Sequence, residues 1–191
     1  VIIENISAED YFYKFYRGTE EYVDPYTKRL YGNEVWGSVA EESELCSGIV
    51  SSEMKEIRPL CIPYNESVFY CLHVRGFTRH ASSKCKNPGT FRGIIEKREH
   101  LKKLGVTGIE LMPAYEFEEF SEPKQEEVFS NYKYNGAVSP MNYWGYKAGY
   151  YFAPKASYAS GNPVEEFKAM VNAFHESGME VIMQFYFPET V

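Results

Sequence analysis

An α/β fold with a small parallel sheet is predicted by two features of the sequence. Between residues 68 and 187, apolar strand-like runs and amphipathic helix-like segments alternate in the order strand, helix, strand, helix, strand. Each helix passes to the next strand through a short link opened by a glycine, Gly105 and then Gly178. That alternation is the pattern of right-handed parallel crossovers. A third observation sets the first residues apart: before residue 38 the pattern is aromatic and partly alternating, as in antiparallel β structure.

DYFYKFYRG (10–18) places Tyr11, Tyr13 and Phe15 on one face and Phe12, Lys14 and Tyr16 on the other. Gly18 to Glu21 can turn the chain, and YVDPYTKRLYG (22–32) follows through an Asp24-Pro25 turn. Residues 38–66 are rich in Ser and Glu, with Pro59 and Pro63, and read as a linker. VFYCLHVRGF (68–77) is mostly apolar, as expected of a strand buried on both faces. Phe91–Leu104 reads as a helix with Ile94, Ile95, Leu101 and Leu104 on its apolar side and Gly105 at C′. VTGIELMP (106–113) is the second strand, stopped by Pro113.

The connection from Ala114 to Gly161 far exceeds the roughly 2–6 residues typical of such loops. It contains an acidic run, EFEEF (116–120), whose adjacent like charges suggest a solvated loop. It also contains the aromatic-rich NYWGYKAGYYFAPKASYA (142–159). The second helix then has a full start signal: Asn162 as cap, Pro163 in the first turn, Glu165 at the capping-box position. Val164, Phe167, Val171 and Phe174 recur as a core face, Gly178 ends the helix, and EVIMQFYF (180–187) is the third strand.

A net charge of −7 argues against nucleic-acid and anionic-membrane partners. No apolar run is long enough to suggest a membrane span. Aromatic residues make up 17% of the chain, a richness that serves packing first and sugar stacking second. Cys46, Cys61, Cys71 and Cys85 lack C-x-x-C spacing, so no metal site is expected, and reduced thiols point to the cytoplasm. The chain starts with Val1 rather than Met, which is also compatible with a removed export signal. No cofactor is expected, and an unrelated parallel α/β binding protein is disfavoured because no G-x-G-x-x-G follows a strand.

HVRGFT (73–78), GTF (89–91), LKKLGVTGIELMP (101–113), NYWGY (142–146), YFAP (151–154) and EFKAMV (166–171) occur in that order. Together they resemble the α-amylase superfamily, glycoside hydrolase family 13, in its isoamylase, pullulanase and glycogen-debranching branch. The resemblance covers about residues 68–191. More loosely, residues 1–37 are similar to the end of the β-sandwich that precedes the barrel in these enzymes, a carbohydrate-binding module of family 48. The resemblance implies three strands and two helices from the N-terminal part of a (β/α)8 TIM barrel, over residues 67–191, behind a partial β-sandwich. The bound partner would be an α-glucan, such as glycogen, starch or a branched oligosaccharide.

The family is retaining: one carboxylate attacks the anomeric carbon and another serves as acid and then base. The resemblance places both after the fourth and fifth strands, and a third acidic residue after the seventh, all beyond Val191. None of the family's catalytic residues is therefore expected in this chain. Tyr146 matches the family tyrosine that stacks under the sugar, with Trp144 and Asn142 shaping its loop. Where the family carries Asp, Asn and His around its third strand, this sequence has Gln184, Pro188 and Glu189. Gln184 keeps hydrogen-bonding capacity without charge, and Glu189 could accept bonds from sugar hydroxyls. Two readings follow: a divergent debranching hydrolase of α-1,6 bonds, or a non-catalytic α-glucan-binding protein derived from the same barrel.

Among the histidines, His73 is expected to be a hydrogen-bonded structural residue, and His175 to sit in the last helical turn. His80 and His100 read as surface residues, and Arg75 as the partner of a barrel carboxylate. Three strands alone would expose a parallel edge and half a barrel interior, so self-association is expected of the isolated chain.

Overall fold

The computed structural model describes residues 11–38, 42–50, 59–120 and 141–188. The chain begins with short antiparallel pieces: β1 (Phe12–Tyr13), β2 (Phe15–Arg17), β3 (Glu20–Tyr22), β4 (Leu30–Tyr31) and β5 (Cys46–Gly48). β2 and β3 form a hairpin closed by Gly18 at φ +65°, a conformation that glycine adopts without a Cβ penalty. The other three strands form a sheet in the order β1-β5-β4. β5 lies inside the stretch read as linker. Ser and Gly composition hid it, and its pairing comes from distant partners, Phe12 opposite Gly48 and Leu30 opposite Ser47.

The parallel sheet is built from β6 (Phe69–Leu72), β7 (Gly108–Leu111) and β10 (Glu180–Met183), in the spatial order β10-β7-β6. Phe69, Gly108 and Glu180 stand in register at one end, and Leu72, Leu111 and Met183 at the other. The first strand ends earlier than its apolar run suggested. His73 leaves the sheet and caps α1 (Val74–Arg79), its Nδ1 accepting the Gly76 N–H at 2.9 Å. The run is also not buried on both faces, since Phe69 and Tyr70 are each 38% exposed.

The segment read as one helix breaks at Lys97 into α2 (Phe91–Glu96) and α3 (Arg98–Lys103). Thr90 caps α2 through its hydroxyl, and Gly105 follows α3 at φ +79°. Leu101 and Ile94 are buried as expected, whereas Leu104 turns out to solvent. α4 (Pro163–Glu176) starts and stops where the sequence indicates, with Asn162 Oδ1 accepting from Val164 N and Glu165 N. Its buried line runs through Val164, Glu166, Met170 and Phe174, with Phe167 and Val171 only half-buried at its flank. Glu166 is tolerated there because its Oε1 meets Arg92 Nε at 3.1 Å and the Ser160 N–H at 3.1 Å. His175 lies in the last turn of α4. Replacing Asn162 with alanine should cost about 1 kcal/mol of stability. A chemical-denaturation midpoint unchanged by N162A would show that the cap contributes nothing.

The described parts of the long connection carry strand structure. Its two ends form a hairpin, β8 (Tyr115–Phe117) against β9 (Gly149–Pro154), with a register shift between Tyr115 and Glu116. The core gathers Leu72, Val74, Phe91, Ile94, Leu101, Ile109, Leu111, Met170 and Phe174 between sheet and helices, and continues into Tyr115, Phe117 and Tyr158 of the connection. Each such large apolar side chain contributes roughly 1.5–3 kcal/mol on burial.

Candidate functional site

At the carboxyl ends of the parallel strands, hydrogen bonding continues one residue past the ladder. Met112 N donates to Leu72 O and Gln184 N to Leu111 O, each at 2.9 Å. This brings the β10 end beside the segment 142–146. Asn142 organises that segment, its own N–H donating to Glu119 O at 2.7 Å and its Oδ1 accepting Gly145 N–H at 3.1 Å. Gly145 turns at φ +82°, and a Cβ there would lie 2.4 Å from the Phe117 ring. The turn leaves the flanking aromatics facing outward, Trp144 at 54% and Tyr146 at 45% exposure.

Tyr146 is held in place by its hydroxyl, which donates to Gln184 Oε1. Gln184 Nε2 in turn donates to Glu110 Oε1 at 2.9 Å and approaches Cys71 Sγ at 3.7 Å. Glu110 and Cys71 belong to β7 and β6, so Gln184, just past β10, links both strands to the tyrosine. A carboxylate at position 184 could not donate to Glu110 and would set two anions at hydrogen-bond distance. The amide bridges them without repulsion. Sequence reasoning missed Glu110, although a lone acid inside the apolar VTGIELMP was a visible signal.

Beyond Gln184 the chain leans outward. Phe185 stacks on Tyr115 at 5.5 Å and 4°, Phe187 lies 5.1 Å from Tyr151, and Tyr151 donates its hydroxyl to Tyr186 O at 2.9 Å. Pro188 is exposed, and Glu189 lies outside the described residues.

Behind the turn sits the largest departure from expectation. Glu116 and Glu119 of the acidic run are 1% and 3% exposed, not solvated. Lys155, fully buried, reaches Glu116 Oε1 at 2.6 Å, Glu119 Oε1 at 3.0 Å and Phe117 O at 3.0 Å. Glu116 also accepts from Asn33 Nδ2 and Ala156 N, each at 2.7 Å, and Glu119 from Gly37 N–H and the Ser157 hydroxyl. Every partner is supplied, which is the condition for burying such charge. Burial pushes the Glu116 carboxyl above its usual range, while Lys155 and the surrounding N–H donors act against that shift.

Between Asn33 and Gly37, Trp36 enters the same cluster. It stacks on Tyr158 at 5.5 Å and meets Tyr143, His73 and Phe117 edge-on. Arg75 lies over the Trp36 ring at 4.8 Å, in no ion pair among the described residues, with Glu119 acting on it through space. A guanidinium on an indole face is a favourable alternative to a salt bridge. His73 is structural, as expected. Its Nδ1 acts as acceptor, so the neutral ring carries its proton on Nε2, 2.8 Å from Tyr143 O. Burial, with Arg75 adding to it, lowers the His73 pKa below 6.5. The unfolded chain therefore binds the proton first, so this contribution to stability is fully present above about pH 6.5 and fades as the pH falls through the lower folded value. Replacing His73 with asparagine should flatten the acid side of the stability curve. Parallel curves for the two proteins between pH 7.5 and 5.5 would contradict that role.

The family model described as Alpha amylase, catalytic domain, matches residues 74–189. This chain belongs to the α-amylase family. Isoamylase 1, chloroplastic, of Arabidopsis thaliana is 34% identical over 184 residues, spanning 88% of this chain and 23% of that protein. Isoamylase SU1, chloroplastic, of Zea mays is 36% identical, spanning 93% and 23%. Among solved structures, pullulanase type I from Bacillus subtilis, complexed with maltose, superposes with a TM-score of 0.62 at 27% identity, covering 88% of this chain and 24% of that one. These relatives place the α-amylase-family chain on the debranching branch. It spans about a quarter of the length of these relatives. Its parallel sheet and helices correspond to part of a TIM barrel.

Proposed function

We propose that this chain is the N-terminal barrel portion of a retaining α-glucan hydrolase of the debranching type, acting on α-1,6 bonds of glycogen or starch. The observation that carries the proposal is Tyr146: an aromatic face presented at the carboxyl ends of the parallel strands, its hydroxyl held by Gln184. A pyranose offers C–H groups to such a face. Trp144 extends the surface, Glu189 is the further candidate for sugar hydroxyls, and Asn142 acts by holding the turn. The nucleophile and the acid/base carboxylates belong to strands beyond Val191. The full-length protein is therefore expected to release linear chains from glycogen, and residues 1–191 alone to release none.

The second reading is a non-catalytic α-glucan-binding protein, and Gln184 favours it: the family's aspartate is replaced by a neutral bridge already committed to Tyr146 and Glu110. Binding of maltotetraose without turnover by the full-length protein would select this reading over hydrolysis. Residues 1–37 would be the end of a β-sandwich module and residues 38–66 the linker to the barrel, although Cys46–Gly48 of that linker pairs with the earlier strands. Reduced cysteines suit the cytoplasm, and equally the plastid named for the plant relatives. The isolated chain should self-associate through Phe69, Tyr70, Ile182 and Tyr186, which its open sheet leaves exposed. Light scattering that finds a monomer at high concentration would count against this.

A further inference from the structure

Charge is unevenly distributed along this acidic chain. Between Val74 and Leu104 stand nine Lys or Arg residues against two Glu, within a protein of net charge −7. That segment forms α1, α2, α3 and their connections, and it encloses a cleft of about 270 Å³ lined by Phe77, His80, Ser82, Ser83, Lys97 and His100. The volume lies just under the roughly 300–1,000 Å³ of small-ligand sites, so it suits a compact ligand.

Three side chains of the cleft, Lys97, His80 and His100, are available as donors. Lys97, at the break between α2 and α3, directs its ammonium to the carbonyl of Ser83, across the cleft from its own helix. No ion pair of the described residues includes Lys97 or His100, so the Lys97 charge is not cancelled by a carboxylate. The two acids of the segment are engaged elsewhere. Glu96 accepts from the N–H groups of Lys86 and Asn87, at 2.7 and 3.0 Å, and Glu99 pairs with Arg98 at 3.5 Å. His80 Nδ1 accepts the Ser82 N–H at 3.2 Å, which leaves the proton of the neutral ring on Nε2 as a further donor. Among the described residues no hydrogen bond engages the His100 ring, and both histidines are exposed. Phe77, half-buried, adds an apolar wall.

We infer that this cleft binds a phosphate group, carried on a sugar or free. A fixed ammonium and two imidazoles suit a compact oxyanion, which draws charge-assisted hydrogen bonds from each, while the Ser82 and Ser83 hydroxyls are engaged with His80 Nδ1 and Thr78 O. The surrounding excess of positive charge concentrates anions at the cleft. Phe77 gives the carbon skeleton of a sugar phosphate an apolar surface that free phosphate cannot use. The proposal is independent of glycosidic activity and stands or falls apart from it.

The test is titration calorimetry on the full-length protein at low ionic strength with glucose 6-phosphate, inorganic phosphate and glucose. Both phosphate-bearing probes should bind and glucose should not, with glucose 6-phosphate the tighter of the two. Equal affinity for the two anions would assign the site to free phosphate and keep the phosphate chemistry. Lys97→Gln should weaken binding at least about tenfold. His100→Gln, at an exposed side chain with no hydrogen-bond partner among the described residues, should weaken it severalfold and leave maltotetraose binding untouched. Binding of glucose as tight as of its phosphate, no binding of either anion, or unchanged affinity in both variants would overturn the assignment.

Discussion

Replacing Lys155 with methionine is expected to cost about 3–5 kcal/mol of stability, because it leaves two buried carboxylates without their cation. The loss should reach the turn that carries Tyr146. Glu119 holds the N–H of Gly37 through its side chain and that of Asn142 through its carbonyl, so the cluster ties the N-terminal segment to the loop of Tyr146. The chain's two tryptophans, Trp36 and Trp144, both pack against Tyr143, and their emission should shift toward that of exposed indole in K155M. Adding Glu116→Gln and Glu119→Gln to K155M should recover part of the stability by removing the stranded charges. A drop below about 1 kcal/mol in K155M, or no recovery in the triple variant, would mean that the cluster is not what holds these segments together.

The second large effect is expected at Tyr146. Truncation to alanine removes the exposed ring and should lower maltotetraose affinity about tenfold, the equivalent of roughly 1.4 kcal/mol. Phenylalanine at this position keeps the stacking face but loses the bond to Gln184 Oε1, so it should retain most of the affinity. Comparing the two separates the contribution of the ring from that of its anchoring. Calorimetry showing equal affinity for wild type and Y146A would remove Tyr146 from the glucan surface altogether.

The parts of the site that were legible in the sequence share a local origin. NYWGY contains its own turn: Asn142 caps Gly145 three residues on, and glycine meets the positive φ that turns the segment. The departure at Gln184 was also visible, but its role was not, since Glu110 lies 74 positions away and Tyr146 lies 38. The acidic run shows the opposite case. Adjacent glutamates with no nearby cation read as solvated, and nothing within a few residues of Glu116 or Glu119 points to Lys155, 39 residues beyond Glu116.

The sequence alone therefore determined the α4 helix with its Asn162 cap, the glycine after α3, the parallel alternation of strands and helices, and the ordered motifs of the family. Each depends on periodicity or on bonds spanning about four residues, whose free energy is set before the chain folds back on itself. Only the tertiary structure decided that β6 stops at His73, that residues 46–48 join a sheet, and that Glu116 and Glu119 are buried. It also decided that Gln184 bridges a tyrosine and a glutamate. Those outcomes depend on partners far apart in the chain, such as Asn33 and Glu116, 83 positions apart, and a buried charge is stable only once all its distant partners have arrived together.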